Sequence, residues 1–177
     1  LRRGYDGDIL STDKSTDKPG ARACPAAALL AALEGRWRLA RAIVDRRRGT
    51  AGRLSGEAVF AADGAGLVCV EAGILRLAGA APLRAERRSL WRAEAGLVAV
   101  RFADGRPFHA FDPRAARPGA RHDCPPDRYR VAYDFSAWPD WSATWEVTGP
   151  RKEYRLRSRY ARAAAACAGG AVAATTL

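Results

Sequence analysis

Val98-Ala99-Val100-Arg101-Phe102-Ala103-Asp104-Gly105-Arg106-Pro107-Phe108-His109-Ala110-Phe111-Asp112 reads as two strands joined by one turn. Apolar residues fall at every second position on both sides of Asp104-Gly105, the alternation of a half-buried strand. Asp-Gly is the strongest short-range signal for a two-residue type I′ turn, and it sets a register. Ala103 then faces Arg106, Phe102 faces Pro107, Val100 faces His109, and Val98 faces Phe111. Cross-strand partners share a face. His109 and Phe111 therefore lie with Val98, Val100 and Phe102 on the expected interior side.

The same alternation repeats from Gly35 to Arg162, broken by Gly, Pro and Asp turns. Trp37, Leu39, Arg41 and Ile43 share one face, as do Leu54, Gly56, Ala58 and Phe60. Leu67, Cys69 and Glu71 continue through Leu75 and Leu77, and Ala85, Arg87, Ser89 and Trp91 follow. Later come Tyr129, Val131, Tyr133 and Phe135, then Ala143, Trp145 and Val147, then Tyr154, Leu156, Ser158 and Tyr160. Many such strands with hairpin-sized gaps predict an all-β fold, an antiparallel barrel of about eight to ten strands. Pro25 to Leu33 reads as one short N-terminal helix with its proline in the first turn, placed to plug one end of the barrel.

The chain has 177 residues and is 48% hydrophobic, enough for one core without disulfide staples. One domain is expected over residues 25–162. Residues 1–24 carry the tandem polar repeat Ser11-Thr12-Asp13-Lys14 and Ser15-Thr16-Asp17-Lys18, and read as a disordered leader. Residues 163–177, rich in Ala, Gly and Thr, read as a disordered tail. Cys24, Cys69, Cys124 and Cys167 lie far apart with no Cys-x-x-Cys pair, so free thiols in a reducing compartment are expected. There is no basic-then-apolar leader and no apolar stretch of membrane length, which makes cytoplasm the expected location. The net charge of +11 could suit an anionic partner. Its arginines, however, are scattered along many strands rather than gathered in one run, which argues against nucleic acid.

Gly35-Arg36-Trp37, the run from Gly105 to Asp112, His122-Asp123-Cys124, the run from Tyr129 to Phe135, Trp138-Pro139-Asp140-Trp141 and Gly149-Pro150-Arg151-Lys152 form a specific succession. Over about Leu33 to Arg162 this succession resembles a small bacterial family of unknown function, number six-three-one-four. That resemblance implies no activity. The strand-rich pattern with Gly-x-Trp on its first strand also resembles the lipocalin-like (calycin) barrels. Cys69 and Ser89 stand where the family pattern implies tyrosines, a change that enlarges the expected cavity.

The interior faces carry Arg41, Glu71, Arg87, His109, His122, Cys124, Tyr129, Tyr133, Tyr154, Ser158 and Tyr160. A buried charge needs a partner, so Glu71 is expected to pair with Arg87 or Arg41. Such a pair either fixes strand register or holds a ligand's polar head. His109 and His122 could be proton carriers, metal ligands or core residues. With Cys124 and Glu71 they offer donors enough for a metal, but no ligand spacing supports one, and no metal site is expected. One histidine in an apolar barrel leaves haem neither demanded nor excluded. Tyrosines with His and Arg suit a small-molecule pocket, and Trp138, Trp141 and Trp145 are expected to cap its mouth.

No nucleophile elbow, phosphate loop, His-Glu-x-x-His or dinucleotide fingerprint occurs, which removes the common hydrolase, kinase and dehydrogenase classes. The expected function is binding of a small, mostly apolar ligand with a polar or acidic group. The expected ligand-binding residues are Arg41, Glu71, Arg87, His109, Phe111, His122, Tyr129, Tyr133, Trp145 and Tyr154, with Phe60 as further apolar wall. Two alternatives stand beside it. One is a small barrel enzyme of isomerase or cyclase type using His109 or Tyr133 for acid–base chemistry. The other is an interaction module using the outer arginine surface.

Overall fold

Helix α1 (Pro25–Leu33) leads into ten strands: β1 (Gly35–Asp45), β2 (Thr50–Ala62), β3 (Leu67–Leu77), β4 (Leu83–Glu94) and β5 (Leu97–Phe102), then β6 (Pro107–Phe111), β7 (Gly119–Cys124), β8 (Asp127–Asp134), β9 (Trp141–Gly149) and β10 (Lys152–Arg162). The computed structural model describes residues 24–163, so the expected leader and tail fall almost wholly outside the described residues. The strands form one sheet in the order β6-β5-β4-β3-β2-β1-β10-β9-β8-β7. The halves meet where β1 pairs antiparallel with β10, setting Leu39 opposite Tyr160 and Arg41 opposite Ser158. The sheet curls until β6 and β7 approach each other without hydrogen-bonded pairing. The result is the antiparallel barrel that the alternation predicts, nearly closed.

α1 closes one end. It is apolar throughout and buries Ala26, Leu30 and Leu33 against the barrel. Beneath it lie Trp37, Phe60, Leu67, Trp91, Val98, Phe111 and Trp141, all buried. The Trp37 indole N–H donates to the Leu33 carbonyl at 2.8 Å. Arg162 donates to the carbonyls of Ala32 at 2.6 Å and Glu34 at 2.7 Å, satisfying acceptors that a helix C-terminus leaves free. Its guanidinium lies 4.2 Å from the Trp37 ring centroid. Each large side chain buried here contributes on the order of 1.5–3 kcal/mol.

Three expectations are corrected. The tryptophans do not cap the mouth: Trp138 and Trp141 pack on Trp37 at the helix end, at 5.6 and 6.0 Å between ring centroids. Trp145 stands halfway up the barrel beside His109. Period-two alternation tells which face a residue occupies, not which end of the barrel it reaches. Cys124, placed inside by the sequence reading, is exposed because it ends β7 at the hairpin.

The Asp104-Gly105 turn is not a two-residue type I′ turn. Phe102 N–H donates to the Arg106 carbonyl at 2.9 Å and Gly105 N–H to the Phe102 carbonyl at 3.0 Å, enclosing the three residues Ala103 to Gly105. Only Gly105 has positive φ, at 86°, whereas type I′ needs two such residues. Arg101 therefore faces Pro107. One extra residue in β6, Phe108, makes a bulge that restores Val100 to His109 and Val98 to Phe111. The two departures offset each other, so His109 and Phe111 face inward as expected.

A second local feature shapes the interior. Gly56 of β2 lies opposite Gly73 of β3, which lies opposite Ala85 of β4. A Cβ on Gly73 would meet the Ser55 carbonyl oxygen at 2.5 Å, so the sheet bends here more tightly than any side chain permits. Side chains facing the barrel axis are buried near α1. Beyond this bend, Ile43, Leu75, Phe102, His122, Tyr129, Tyr154 and Leu156 are only half-buried, so the end away from α1 is open.

Candidate functional site

Glu71 and Arg87 stand opposite each other on β3 and β4. The Glu71 carboxylate, 4% exposed, accepts from Arg41 Nη2 at 2.8 Å and faces Arg87 Nε at 3.0 Å, both through Oε2. Its Oε1 accepts from the Tyr160 hydroxyl. Arg41 also donates from Nε to Ser158 Oγ at 2.7 Å. Four strands thus converge on one carboxylate. Glu71 pairs with both candidate arginines rather than one of them.

Two guanidinium groups share a single carboxylate, which leaves one positive charge inside the barrel without a counter-charge. Burial alone would raise the pKa of Glu71, but the charges of Arg87 and Arg41 outweigh it and hold the carboxyl below its usual range. The carboxylate is therefore ionised at neutral pH, and the surplus stays.

Arg87 carries that surplus toward solvent. Its Nε faces Glu71, while 43% of its side chain stays accessible to solvent. Neither Nη group donates a hydrogen bond to any described residue, whereas Arg41, at 11% exposure, is enclosed.

Across the barrel, His109 Nε2 lies 2.8 Å from the Tyr133 hydroxyl. His109 is 8% exposed, and its Nδ1 has no hydrogen-bond partner. Burial, then Arg87, then His122 push its pKa down to about 3. Burial raises the Tyr133 phenol well above its ordinary value. At neutral pH the pair is therefore a neutral hydrogen bond, and neither partner is poised for proton transfer.

The remaining expected residues divide by height. Phe111 packs into the closed end, 4.6 Å from Tyr133 between ring centroids. Phe60 lies there too, 5.3 Å from Trp91. Trp145 stacks on Phe108 at 5.2 Å. His122, 4.9 Å from Phe108, and Tyr129, which bonds Lys152 Nζ at 3.3 Å, line the open end. Tyr154 lines a cavity of about 190 Å³ there with Ile43, Leu77 and Leu156. Larger grooves, of about 550 and 920 Å³, lie on the outer face of the sheet among Arg38, Arg157 and Arg159 and among Arg121 and Arg130, away from Glu71.

Cys69 and Ser89 stand opposite each other below the Glu71 level. Ser89 Oγ accepts from the Trp91 indole at 3.1 Å, and burial raises the Cys69 thiol far above its usual range, leaving it unreactive. Among the described residues no three His, Cys, Asp or Glu side chains could hold a metal ion together. No helix among the described residues is long and apolar enough to cross a membrane. Sequence reasoning placed Tyr160 and Ser158 inside but did not connect them to Glu71 and Arg41. The available signal was their spacing on one face, matched to Leu39 and Arg41 on β1.

A nearly closed antiparallel barrel of ten strands, plugged by a helix at one end, is a lipocalin-like barrel. The chain belongs to a family of unknown function (DUF6314), whose sequence profile matches residues 33–162. The fold is similar to that of an S-type phycobiliprotein lyase, CPES, from Guillardia theta, with a TM-score of 0.58 over 78% of this chain and 92% of that one. The two are 5% identical in sequence, a likeness of fold alone. No curated protein matches the sequence.

Proposed function

We propose that the barrel binds a small, mostly apolar molecule by an anionic group, with Arg87 as the anchor. The observation that carries this reading is Arg87, 43% accessible and with no hydrogen bond from its Nη groups to any described residue, beside a carboxylate that Arg41 already shares. A carboxylate fits a guanidinium edge with two parallel hydrogen bonds. Glu71 and Arg41 hold that edge in place. Ile43, Leu75, Phe102 and Leu156, half-buried above it, supply apolar wall for the rest of the molecule. The similarity to a phycobiliprotein lyase adds a second protein on the same barrel plan.

The test has two arms. Native mass spectrometry of gently purified protein, followed by extraction, looks for a guest. Anilinonaphthalene sulfonate fluorescence then measures binding, with decanoate and decanamide as matched competitors. Decanoate is expected to displace the probe at much lower concentration than decanamide, and Arg87→Ala to weaken probe binding by about tenfold or more. A protein that is always empty, and whose Arg87→Ala variant binds the probe like the wild type, would overturn the reading.

A further inference from the structure

The barrel lacks one ladder, and the wall beside the gap is its least anchored part. Among the described residues, β6 has a hydrogen-bonded neighbour only in β5, across pairs from Val98–Phe111 to Arg101–Pro107, and β7 only in β8. The bulge at Phe108 interrupts even the β5–β6 pairing. On its free side β6 is held by side chains reaching over the seam. Phe108 stacks on Trp145 of β9 and meets His122 of β7, Phe111 meets Tyr133 of β8, and His109 Nε2 bonds the Tyr133 hydroxyl at 2.8 Å. That last contact is the hydrogen bond of the set.

We propose that the β5–β6 hairpin is the movable wall of the cup, with the His109–Tyr133 hydrogen bond as its latch, closed at neutral pH and loosened by acid. Holding and releasing a guest by this wall rests on the ligand-binding reading; the latch itself does not. Three groups face His109: Arg87 from β4, His122 from β7 and Tyr133 from β8. Val100 of β5 and Trp145 of β9 bring no charge. Glu71 is occupied by Arg41, Arg87 and Tyr160. A proton on His109 would thus meet another positive charge and no carboxylate, and one ring N–H would stay unpartnered. Swinging the hairpin outward relieves all of this by hydrating the ring.

Closed, His109 titrates at about 3, and in water near its ordinary 6.5. The closed form is fully favoured above 6.5 and loses ground as pH falls toward 3. Linkage between these values favours opening about 30-fold more at pH 5 than at pH 7.5.

Hydrogen exchange, corrected for the intrinsic pH dependence of amide exchange, tests this on the full chain at pH 5 and pH 7.5. Protection of the Val98–Phe111 amides is expected to fall about 30-fold in acid while β1 to β3 hold theirs. His109→Gln, which can still bond Tyr133 but cannot take up the proton, is expected to flatten that dependence. Tyr133→Phe keeps the ring and removes the bond, and is expected to lower hairpin protection by up to about tenfold already at pH 7.5. An equal acid response in His109→Gln, a loss spread evenly over all strands, or a flat wild-type profile would each overturn the latch. Anilinonaphthalene sulfonate separates the two readings. Arg87-dependent probe binding with a rigid hairpin sinks the latch alone, and an acid-responsive hairpin on a protein that ignores the probe sinks the binding reading alone.

Discussion

Glu71→Gln keeps the shape of the side chain and removes its charge, leaving two guanidinium groups facing each other in the barrel. Breaking a buried ion pair from one side costs about 3–5 kcal/mol. The two arginines do not share that cost equally. Arg87 is 43% exposed, so water screens much of its loss, whereas Arg41 at 11% has little hydration to fall back on. Arg41 sets the scale, and the lower end of the range applies, about 3 kcal/mol. Against a typical total of about 5–15 kcal/mol this is a large fraction. Urea unfolding at pH 7, followed by tryptophan fluorescence, should show the midpoint falling by about 1–2 M with an unchanged slope. Adding Arg41→Met removes the stranded charge. The double variant should therefore lose clearly less than the two single variants summed. A midpoint shift below about 0.3 M, or additive losses, would refute the claim that Glu71 is the interior counter-charge.

Stability as a whole should fall on the acid side in two stages. The folded value of His109 lies below its ordinary 6.5, so its contribution is full above that pH and declines toward 3, by about 2 kcal/mol at pH 5. Glu71, held below 4.5, keeps its contribution above that value and loses it further down. Urea midpoints measured from pH 8 to pH 4 should show the first stage, and His109→Phe should remove it. Gly73→Ala should destabilise by about 1–3 kcal/mol or more, because its Cβ would meet the Ser55 carbonyl oxygen at 2.5 Å, and backbone cannot step aside as a side chain can. Thermal melting checks it. Leu33→Ala, at a fully buried position, should cost about 2–5 kcal/mol and red-shift tryptophan emission as α1 loosens over Trp37.

Alternation alone places most of the interior correctly, because a one-residue slip would move every apolar side chain to the wrong face. It brings Glu71 to Arg87 easily, since β3 and β4 are consecutive and joined by a short turn. Tyr160 and Ser158 are harder. They reach Glu71 and Arg41 only because the first and last strands pair, which joins Ser158 to Arg41 across 117 positions and Tyr160 to Glu71 across 89. Nothing in the period of either strand specifies the distant pairing. The tryptophan turn shows the complementary gap: side-chain period fixes inside and outside, while height along the barrel depends on strand direction and tilt. The Asp104-Gly105 turn carries a third lesson. Turn chemistry marks the reversal correctly, but Asp104 instead accepts the Arg106 amide through its carboxylate at 3.0 Å, and a three-residue loop results.

The missing ladder also bears on how molecules of this protein treat one another. An unpaired strand is a template for any other chain with an unpaired strand, and sheet proteins commonly blunt such borders with charge, proline or covering loops. Here β6 begins with Pro107, but its main protection is that β6 and β7 conceal one another. Drawing the hairpin aside uncovers two templates at once. Conditions that loosen the wall should therefore promote strand-swapped dimers in proportion to protein concentration, so the same closure also guards solubility.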